Sequence, residues 1–226
     1  MLDFFLMEIT YLGHSSFRIK GKKNIVVTDP YGDEVGFKIP RVTADIITVS
    51  HQHHDHNNIT AIKGTTKRED PFIVDGPGEY EVGDVSIFGI ASYHNKSSGR
   101  KRGENTIYLI SLDGLRLAHL GDLGQKLNEA QLEQLNGVDI LFIPVGGTFT
   151  IDDNEAIEVI SQIEPQIIIP MHYLAPGMKK DFGVKITVND FLKAIGEEGN
   201  KTKDRLIVSK DKLLPEREIV VLKRKS

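Results

Sequence analysis

The residues best suited to chemistry lie together in one short stretch of the chain. Four of the eight histidines fall within it, together with an aspartate, in the order His51, His53, His54, Asp55 and His56. Histidines packed this closely gain nothing as core residues, and they repel one another when protonated. Divalent transition metals, by contrast, bind neutral imidazoles and carboxylates at this density. The stretch therefore predicts a metal site.

Further candidate ligands follow other apolar segments of the chain. His94, Asp122 and His172 each come shortly after a run of residues typical of a buried strand. Loops at strand ends, carried on a rigid scaffold, are where proteins build functional sites. We therefore expect these three side chains to join the histidine cluster in space.

The spacing divides the ligands between two metals. Residues two apart in an extended segment share a side, so His51 and His53 can reach one metal, which His94 would complete. A turn after His54 can direct the rest of the motif toward a second metal. The second set would comprise Asp55, His56 and His172, with Asp122 between the two metals.

Composition narrows the class of protein. Cysteine is absent, so His, Asp or Glu must hold any metal, and the absence fits a reducing cytoplasm. The net charge of -4 gives no general attraction to nucleic acid or to an anionic membrane. Residues 1–7 are apolar but too short to span a membrane, and Asp3 stands where a signal peptide carries basic residues. We expect a cytoplasmic protein with no membrane segment.

The apolar pattern also predicts the elements that position these residues. Short β-rich runs over residues 8–28 indicate an antiparallel meander. Three helices, alternating with strands, are predicted over residues 125–136, 153–164 and 188–196. Residues 205–208 and 218–222 are expected to pair as the closing strands. The pattern fits one α/β domain over residues 1–226, with two sheets sandwiched between helices.

The order of the motifs resembles the metallo-β-lactamase superfamily. The matching features are the motif His51-x-His53-x-Asp55-His56 and, downstream in order, His94, Gly121-Asp122 and His172. The resemblance implies an αββα sandwich of two mixed β-sheets flanked by helices. It implies His51, His53 and His94 for one metal, Asp55, His56 and His172 for the other, and Asp122 as the bridge.

Smaller features look like a compact branch of that superfamily, which includes ascorbate-6-phosphate lactonase. They are found in residues 11–15, 29–30, 119–124 and 170–173. A glutamate in place of His53 would indicate the di-iron oxidoreductases, so the histidine favours hydrolysis. Zinc is the expected metal, and Mn2+, Fe2+ or Ni2+ also suit the ligands. Without cysteine, the ligand set of the best-known zinc β-lactamases is missing, and we do not expect an antibiotic lactam as substrate.

We therefore expect a dinuclear zinc hydrolase that attacks a small-molecule substrate with a metal-bridging hydroxide. The substrate would be an anionic ester, lactone or phosphoester. Asp55 and Asp122 would offset the metal charges, and Asp122 would also orient the hydroxide. His14 is open between three roles: a hydrogen-bond partner of the ligands, a substrate contact, or a turn histidine satisfied by backbone. Lys96 and Arg100 lie in a basic loop after His94 and either contact an anionic substrate or stay solvated.

Two other functions stay open. The same fold and metals would serve a nuclease or phosphodiesterase if the basic loop binds phosphate, although the net charge does not favour nucleic acid as a partner. A metal-binding protein that has lost catalysis would keep the ligands without turnover.

Overall fold

A computed structural model of the chain describes residues 6–94 and 103–225. The strands of this part are β1 (Met7–Gly13), β2 (Ser16–Lys20), β3 (Ile25–Thr28), β4 (Thr43–Ala44), β5 (Ile46–Thr48), β6 (Lys63–Gly64), β7 (Phe72–Val74), β8 (Gly78–Val82), β9 (Val85–Tyr93), β10 (Glu104–Leu112), β11 (Leu115–His119), β12 (Ile140–Pro144), β13 (Ile167–Met171), β14 (Leu206–Val208) and β15 (Glu218–Ile219). The α-helices are α1 (Glu129–Gln134), α2 (Asp153–Ile163) and α3 (Val188–Ile195).

Two large mixed sheets are built from these strands. Six strands form one sheet in the order β14-β1-β2-β3-β5-β7, and seven form the other in the order β15-β13-β12-β11-β10-β9-β8. In the first sheet β1, β2 and β3 are antiparallel, which confirms the predicted meander, whereas β3, β5 and β7 are parallel. In the second, β8 to β11 are antiparallel, and β11, β12, β13 and β15 are parallel.

The two sheets pack face to face. The ring of Phe17 in β2 lies against that of Phe142 in β12, with centroids 4.5 Å apart. The Tyr108 hydroxyl of β10 donates to the Val49 carbonyl across the sandwich, at 2.8 Å. Side chains alternate along a strand, so Phe17 faces this core while its neighbour Arg18 is directed to the outer face. Each large apolar side chain buried in this way contributes about 1.5–3 kcal/mol to folding.

Helices cover the outer face of the seven-stranded sheet. β11, β12 and β13 are parallel neighbours joined through α1 and α2, and right-handed crossovers place both helices on the same side of the sheet. The expected sandwich of two mixed sheets with helices is thereby confirmed. None of the helices in the described part of the chain is long and apolar enough to cross a membrane.

The helix boundaries follow from local capping. Asn128, Asp152 and Thr187 each accept a hydrogen bond from the third helical N–H and form a capping box with the side chain there. All three predicted helices are present. α1 is shorter than predicted, because the capping box at Asn128 makes the helix begin at Glu129 and leaves residues 125–127 ahead of it.

Loop segments cover the outer face of the six-stranded sheet. Side chains of β1, β3 and β5 form a second buried cluster there with residues from segments 39–44 and 59–64. Its buried members are Leu12, Val27, Ala44, Ile47, Val49 and Ile62. Within the covering segments β4 and β6 pair in parallel as a small separate sheet.

The closing strands do not pair with each other, so that prediction is wrong. β14 lies beside β1 at one edge of the six-stranded sheet, whereas β15 lies beside β13 at an edge of the seven-stranded sheet. Each segment completes a different sheet because each reaches a different open edge. The two segments meet through an isolated bridge between Lys203 and Leu222.

Candidate metal centre

The predicted ligands that the structure describes lie at one end of the sandwich, where strands of both sheets stop. His51 follows β5, His94 follows β9, Asp122 follows β11 and His172 follows β13. The parallel and antiparallel pairings align these strand ends, which explains why residues far apart in sequence meet. His14, in the turn after β1, and Asp29, directly after β3, lie at the same end.

One cluster joins His51, His53 and His94, whose potential ligand atoms all lie within 4.8 Å of one another. His51 Nε2 and His53 Nδ1 are 3.0 Å apart. Burial, and then the neighbouring His56, lowers the pKa of His51 to about 3, which keeps its imidazole neutral and its lone pair free for a metal. The cluster coincides with the first ligand set predicted from spacing.

A second cluster joins Asp55, His56 and His172, and it also contains His14. The rings of His14 and His172 are 4.2 Å apart. His14 Nε2 lies 3.2 Å from Asp55 Oδ2, within hydrogen-bonding distance. Burial, followed by His172, lowers the pKa of His14 to about 4, and Asp55 only partly opposes this shift. The cluster contains the second predicted ligand set and adds His14 to it.

Asp122 connects the two clusters. Its Oδ2 is 3.1 Å from His94 Nε2 and 3.2 Å from His172 Nε2, and its Oδ1 is 3.3 Å from His56 Nε2. Burial acts to raise the pKa of Asp122, but the nearby His172 and His56 outweigh it and hold the pKa well below the ordinary value. The carboxylate is therefore ionised, and it lies where a ligand shared by two cations would be.

Several buried atoms in the clusters have no hydrogen-bond partner among the residues described. They are His14 Nδ1, His56 Nε2, His94 Nδ1, both ring nitrogens of His172, and Asp122 Oδ1. A buried polar atom without a partner costs about 1–3 kcal/mol. Imidazole nitrogens and carboxylate oxygens around a common point are the donor set of zinc and related divalent ions. The residues present therefore fit a metal centre.

Asp29 orients one of these histidines, a role that the sequence did not reveal. Its Oδ1 accepts the Ser50 backbone N–H at 2.7 Å, and its Oδ2 accepts the Ser50 hydroxyl at 2.6 Å and His56 Nδ1 at 2.8 Å. Burial acts to raise the pKa of Asp29, but His119 and the hydrogen bonds from His56 and Ser50 hold it below the ordinary value. With Nδ1–H donating to Asp29, His56 Nε2 faces the clusters. Burial acts to lower the pKa of His56, but Asp122 and Asp55 outweigh it and raise the pKa well above the ordinary value, so a metal bound there would displace the Nε2 proton. The signals at Asp29 were its position directly after a strand and the resemblance of residues 29–30 to the compact branch, and neither indicates a contact with His56.

Asn105 of β10 fixes the loop that carries Asp122. Its Oδ1 accepts the Asp122 backbone N–H at 2.9 Å, and its Nδ2 donates to the Leu120 carbonyl at 3.0 Å and to Ser92 Oγ at 2.7 Å. Gly121, with φ of 56°, allows this approach, because a Cβ there would lie 2.4 Å from Asn105 Oδ1. Asn105 carries no sequence signal, since it stands inside an ordinary strand pattern.

The remaining histidines take distinct positions. His54 is exposed and belongs to none of the potential ligand clusters found among the described residues. His119 is buried, with Nε2 donating to the Ser15 carbonyl at 2.8 Å and Nδ1 accepting the Gly121 N–H at 3.2 Å. His119 is therefore a packed histidine of the core. His14 is fully buried rather than at the rim, so of its three predicted roles the hydrogen bond to a ligand fits best.

The substrate-contact residues predicted in the basic loop, Lys96 and Arg100, lie outside the described residues. A cavity of about 320 Å³ opens beside His51 and His53 and supplies a route to the first cluster. Asp75 and Glu104 are the ionisable side chains on the rest of its described wall.

Comparisons with known proteins agree with this geometry. A protein-family model described as the beta-lactamase superfamily domain matches residues 8–172, well over half of the chain. A solved structure from Thermotoga maritima is 34% identical, covers 96% of this chain and 98% of its own, and superposes with a TM-score of 0.75. The chain belongs to the metallo-β-lactamase superfamily. The Thermotoga protein is described as a candidate Zn-dependent hydrolase of that superfamily.

Other relatives in the metallo-β-lactamase superfamily carry a related name. A metal-dependent hydrolase from Thermococcus onnurineus is 28% identical over 191 residues, which cover 74% of this chain and 85% of the relative. One from Pyrococcus furiosus is 28% identical over 218 residues, covering 85% of this chain and 94% of the relative. This chain is thus a metal-dependent hydrolase of the superfamily. The closer resemblance to ascorbate-6-phosphate lactonase stays a prediction.

Proposed function

We propose that this hydrolase uses two metal ions, most simply zinc, on a small anionic ester, lactone or phosphoester. The observation that carries the proposal is the pair of ligand clusters joined through Asp122, with the unpartnered nitrogens His56 Nε2 and His172 Nε2 at 3.3 and 3.2 Å from its carboxylate. The zinc in the description of the Thermotoga relative supports the choice of metal. The ligands proposed are His51, His53 and His94 for one ion, Asp55, His56 and His172 for the other, and Asp122 for both.

When bound, two such ions lower the pKa of a shared water from about 15.7 to about 7 and polarise the oxygen of the group under attack. The residues of the protein hold the ions and orient the groups around them. Asp122 would offset the positive charge of the ions, and its Oδ atoms would accept a hydrogen bond from the attacking water. Asp29 keeps His56 in the tautomer whose Nε2 is available to a metal. His14 Nε2–H donates to Asp55 and holds that carboxylate in place.

The cavity beside His51 and His53 favours a small substrate, because its volume is about 320 Å³. Its described wall carries Asp75 and Glu104, which repel an anion. In this proposal the positive charge that attracts the substrate therefore comes from Lys96 and Arg100. A single domain over residues 1–226 and a cytoplasmic location belong to the same proposal, supported by the core shared between the sheets and by the absence of cysteine.

Metal content gives the first test, and the motif offers a matched control. Wild type, His56→Ala and His54→Ala are equilibrated with zinc and passed through a gel-filtration column. The zinc content per chain is then measured by elemental mass spectrometry. We expect two ions in wild type and in His54→Ala, and fewer in His56→Ala, because His54 is exposed and His56 is buried in the second cluster. One ion in wild type, or equal losses in the two variants, would contradict the dinuclear assignment.

Substrate class is tested with the zinc-loaded protein on a panel of lactones and esters, with bis-p-nitrophenyl phosphate alongside. Hydrolysis of lactones or esters without cleavage of the diester supports the proposal. Cleavage of the diester alone would instead identify a phosphodiesterase. Two bound ions with no turnover of either class would indicate a metal-binding protein without catalysis.

A further inference from the structure

A cavity lined by positive charge lies on the outer face of the six-stranded sheet. It has a volume of about 630 Å³, and all its ionisable lining residues are cations: Arg18, Arg41, Lys63 and Lys225. Arg18 rises from β2, Lys63 lies in the small sheet that covers the face, and Lys225 belongs to the C-terminal segment. None of the proposed metal ligands lines it, so the cavity is separate from the metal centre.

This positive charge is poorly compensated. The Arg18 side chain is only 16% exposed, and its ion pair, with Glu8 Oε1, is long at 3.8 Å. The other oxygen of Glu8 is taken by Arg205 at 2.7 Å. Burial lowers the pKa of Arg18, and Glu8 opposes the shift, but a guanidinium stays charged in proteins. Arg18 is thus a half-desolvated cation with one shared, distant counter-charge.

The other three cations have no ion pair within the described part of the chain. No carboxylate of residues 6–94 and 103–225 comes within 4.0 Å of the charged nitrogens of Arg41, Lys63 or Lys225. Yet the chain as a whole is acidic, with a net charge of -4. The cavity therefore concentrates four positive charges on a protein whose net charge is negative. Their mutual repulsion is relieved when an anion binds between them.

The shape and donors of the cavity indicate the class of anion. Guanidinium presents a planar fork that matches phosphate oxygens, and lysine adds mobile point charges. The volume exceeds what one phosphate fills and lies within the range of small-molecule sites. Val42 and Ala61 add a limited apolar surface to the same wall. A concavity of this size suits a small molecule better than an extended nucleic acid chain.

We propose that this cavity binds a small anion that carries two or more phosphate groups. The ligand bridges Arg18 on the sheet to the covering loops and to the C-terminal segment. That segment is anchored beside the cavity, because the Lys225 backbone N–H donates to the Tyr11 carbonyl at 2.9 Å. The site is independent of the hydrolytic reaction proposed above.

Calorimetric titration of the metal-loaded protein with sodium pyrophosphate and with adenosine diphosphate, at matched ionic strength, tests the proposal. The variants are Arg18→Met and Lys63→Met, with Lys20→Met as the control, since Lys20 is an exposed lysine on the same strand that does not line the cavity. His51→Ala separates this site from the metal centre. We expect each cavity variant to weaken binding at least about tenfold, or about 1.4 kcal/mol, and both Lys20→Met and His51→Ala to stay within about twofold of wild type.

The outcomes are distinct. Preference for pyrophosphate or for the nucleotide identifies the source of the phosphates and supports the site in either case. Equal binding in all four variants, loss in His51→Ala alone, or no binding of either probe at millimolar concentration would each overturn the proposal. Tighter binding of a short RNA than of both probes would overturn the small-molecule assignment. If Arg18→Met does not fold, Lys63→Met and Arg41→Met, both at exposed positions, decide the question.

Discussion

Replacing Asp29 with asparagine tests whether a carboxylate that touches no metal controls the metal centre. The substitution keeps the size of the side chain and changes one oxygen into an N–H2 group. Asp29 now accepts three hydrogen bonds, from the Ser50 N–H, the Ser50 hydroxyl and His56 Nδ1. An asparagine amide has only one oxygen, so whichever way it points, an N–H2 group faces a donor that the carboxylate had accepted.

The consequence for His56 is a change of tautomer. If the amide N–H2 faces Nδ1, that nitrogen must accept, and the proton moves to Nε2. Nε2 is the atom that lies 3.3 Å from Asp122 Oδ1 and has no hydrogen-bond partner in the described structure. A proton there removes the lone pair that a metal needs. Loss of such an orienting partner lowers metal affinity by about 10–100-fold, which corresponds to about 1.4–2.7 kcal/mol.

Asp45 supplies a matched control in the same sheet. Its carboxylate is also buried and also accepts a backbone N–H, from Ile25 at 2.8 Å, and a hydroxyl, from Thr65. No histidine contacts it among the residues described. Asp45→Asn should therefore destabilise the fold by an amount similar to Asp29→Asn, about 1–3 kcal/mol, while leaving metal affinity unchanged.

The assay is competition for zinc with a chelator of known affinity, combined with urea unfolding of the metal-free proteins. Asp29→Asn should lose both affinity and stability, and Asp45→Asn stability alone. The reasoning is refuted if Asp29→Asn binds zinc within about twofold of wild type, or if Asp45→Asn loses as much affinity as Asp29→Asn does.

Three further outcomes are expected. His14→Asn should keep the fold, because asparagine suits the left-handed backbone at φ of 55°. It should weaken the binding of one of the two proposed zinc ions about tenfold, since Asp55 loses the Nε2 contact at 3.2 Å. Stepwise zinc titration checks this, and unchanged binding of both ions would contradict it. Gly121→Ala should destabilise the protein by about 1–3 kcal/mol in urea unfolding, because its Cβ would lie 2.4 Å from Asn105 Oδ1. Burial, only partly offset by Asp29, lowers the pKa of His119 below its ordinary 6.5, so its stabilising contribution is complete above pH 6.5 and is lost as pH falls toward the folded-state pKa. Below pH 6.5 the free energy of unfolding of wild type should therefore fall by up to about 1.4 kcal/mol more per pH unit than that of His119→Gln. Parallel curves of unfolding free energy against pH would contradict that account.

The candidate ligands were accessible from the sequence because their signal is local. The sequence alone shows that a residue directly follows an apolar strand, and the ends of paired strands lie close together in the folded protein. The period-two rule grouped His51 with His53, and the structure brings His94 to the same pair. The role of His14 stays open in the sequence because its neighbours Asp55, His56 and His172 are distant along the chain, and nothing in residues 13–15 indicates that Asp55 will be 3.2 Å away.

The misassigned strand pair shows where local pattern stops being informative. β14 and β15 are three and two residues long, and such short apolar runs fit the edge of either sheet. Which edge a strand joins depends on the packing of everything that precedes it. The same is true of Asn105, whose three hydrogen bonds are made with segments 13 and 15 residues away and with the start of the Asp122 loop.

The hydrogen bonds that join the two sheets also position the residues of the candidate metal centre. The His172 N–H donates to the His14 carbonyl at 2.9 Å, and the Thr106 N–H donates to the Ser50 carbonyl at 2.8 Å, so backbone from one sheet hydrogen-bonds to backbone from the other at the ends that carry the ligands. His119 adds its bond to the Ser15 carbonyl at the same end. A change that separates the sheets by even a fraction of an ångström therefore moves the ligands of the six-stranded sheet away from those of the seven-stranded sheet, and each proposed metal site contains ligands from both sheets. For this reason we expect inter-sheet substitutions far from any ligand to lower metal affinity together with stability, whereas substitutions on the outer faces should lower stability alone.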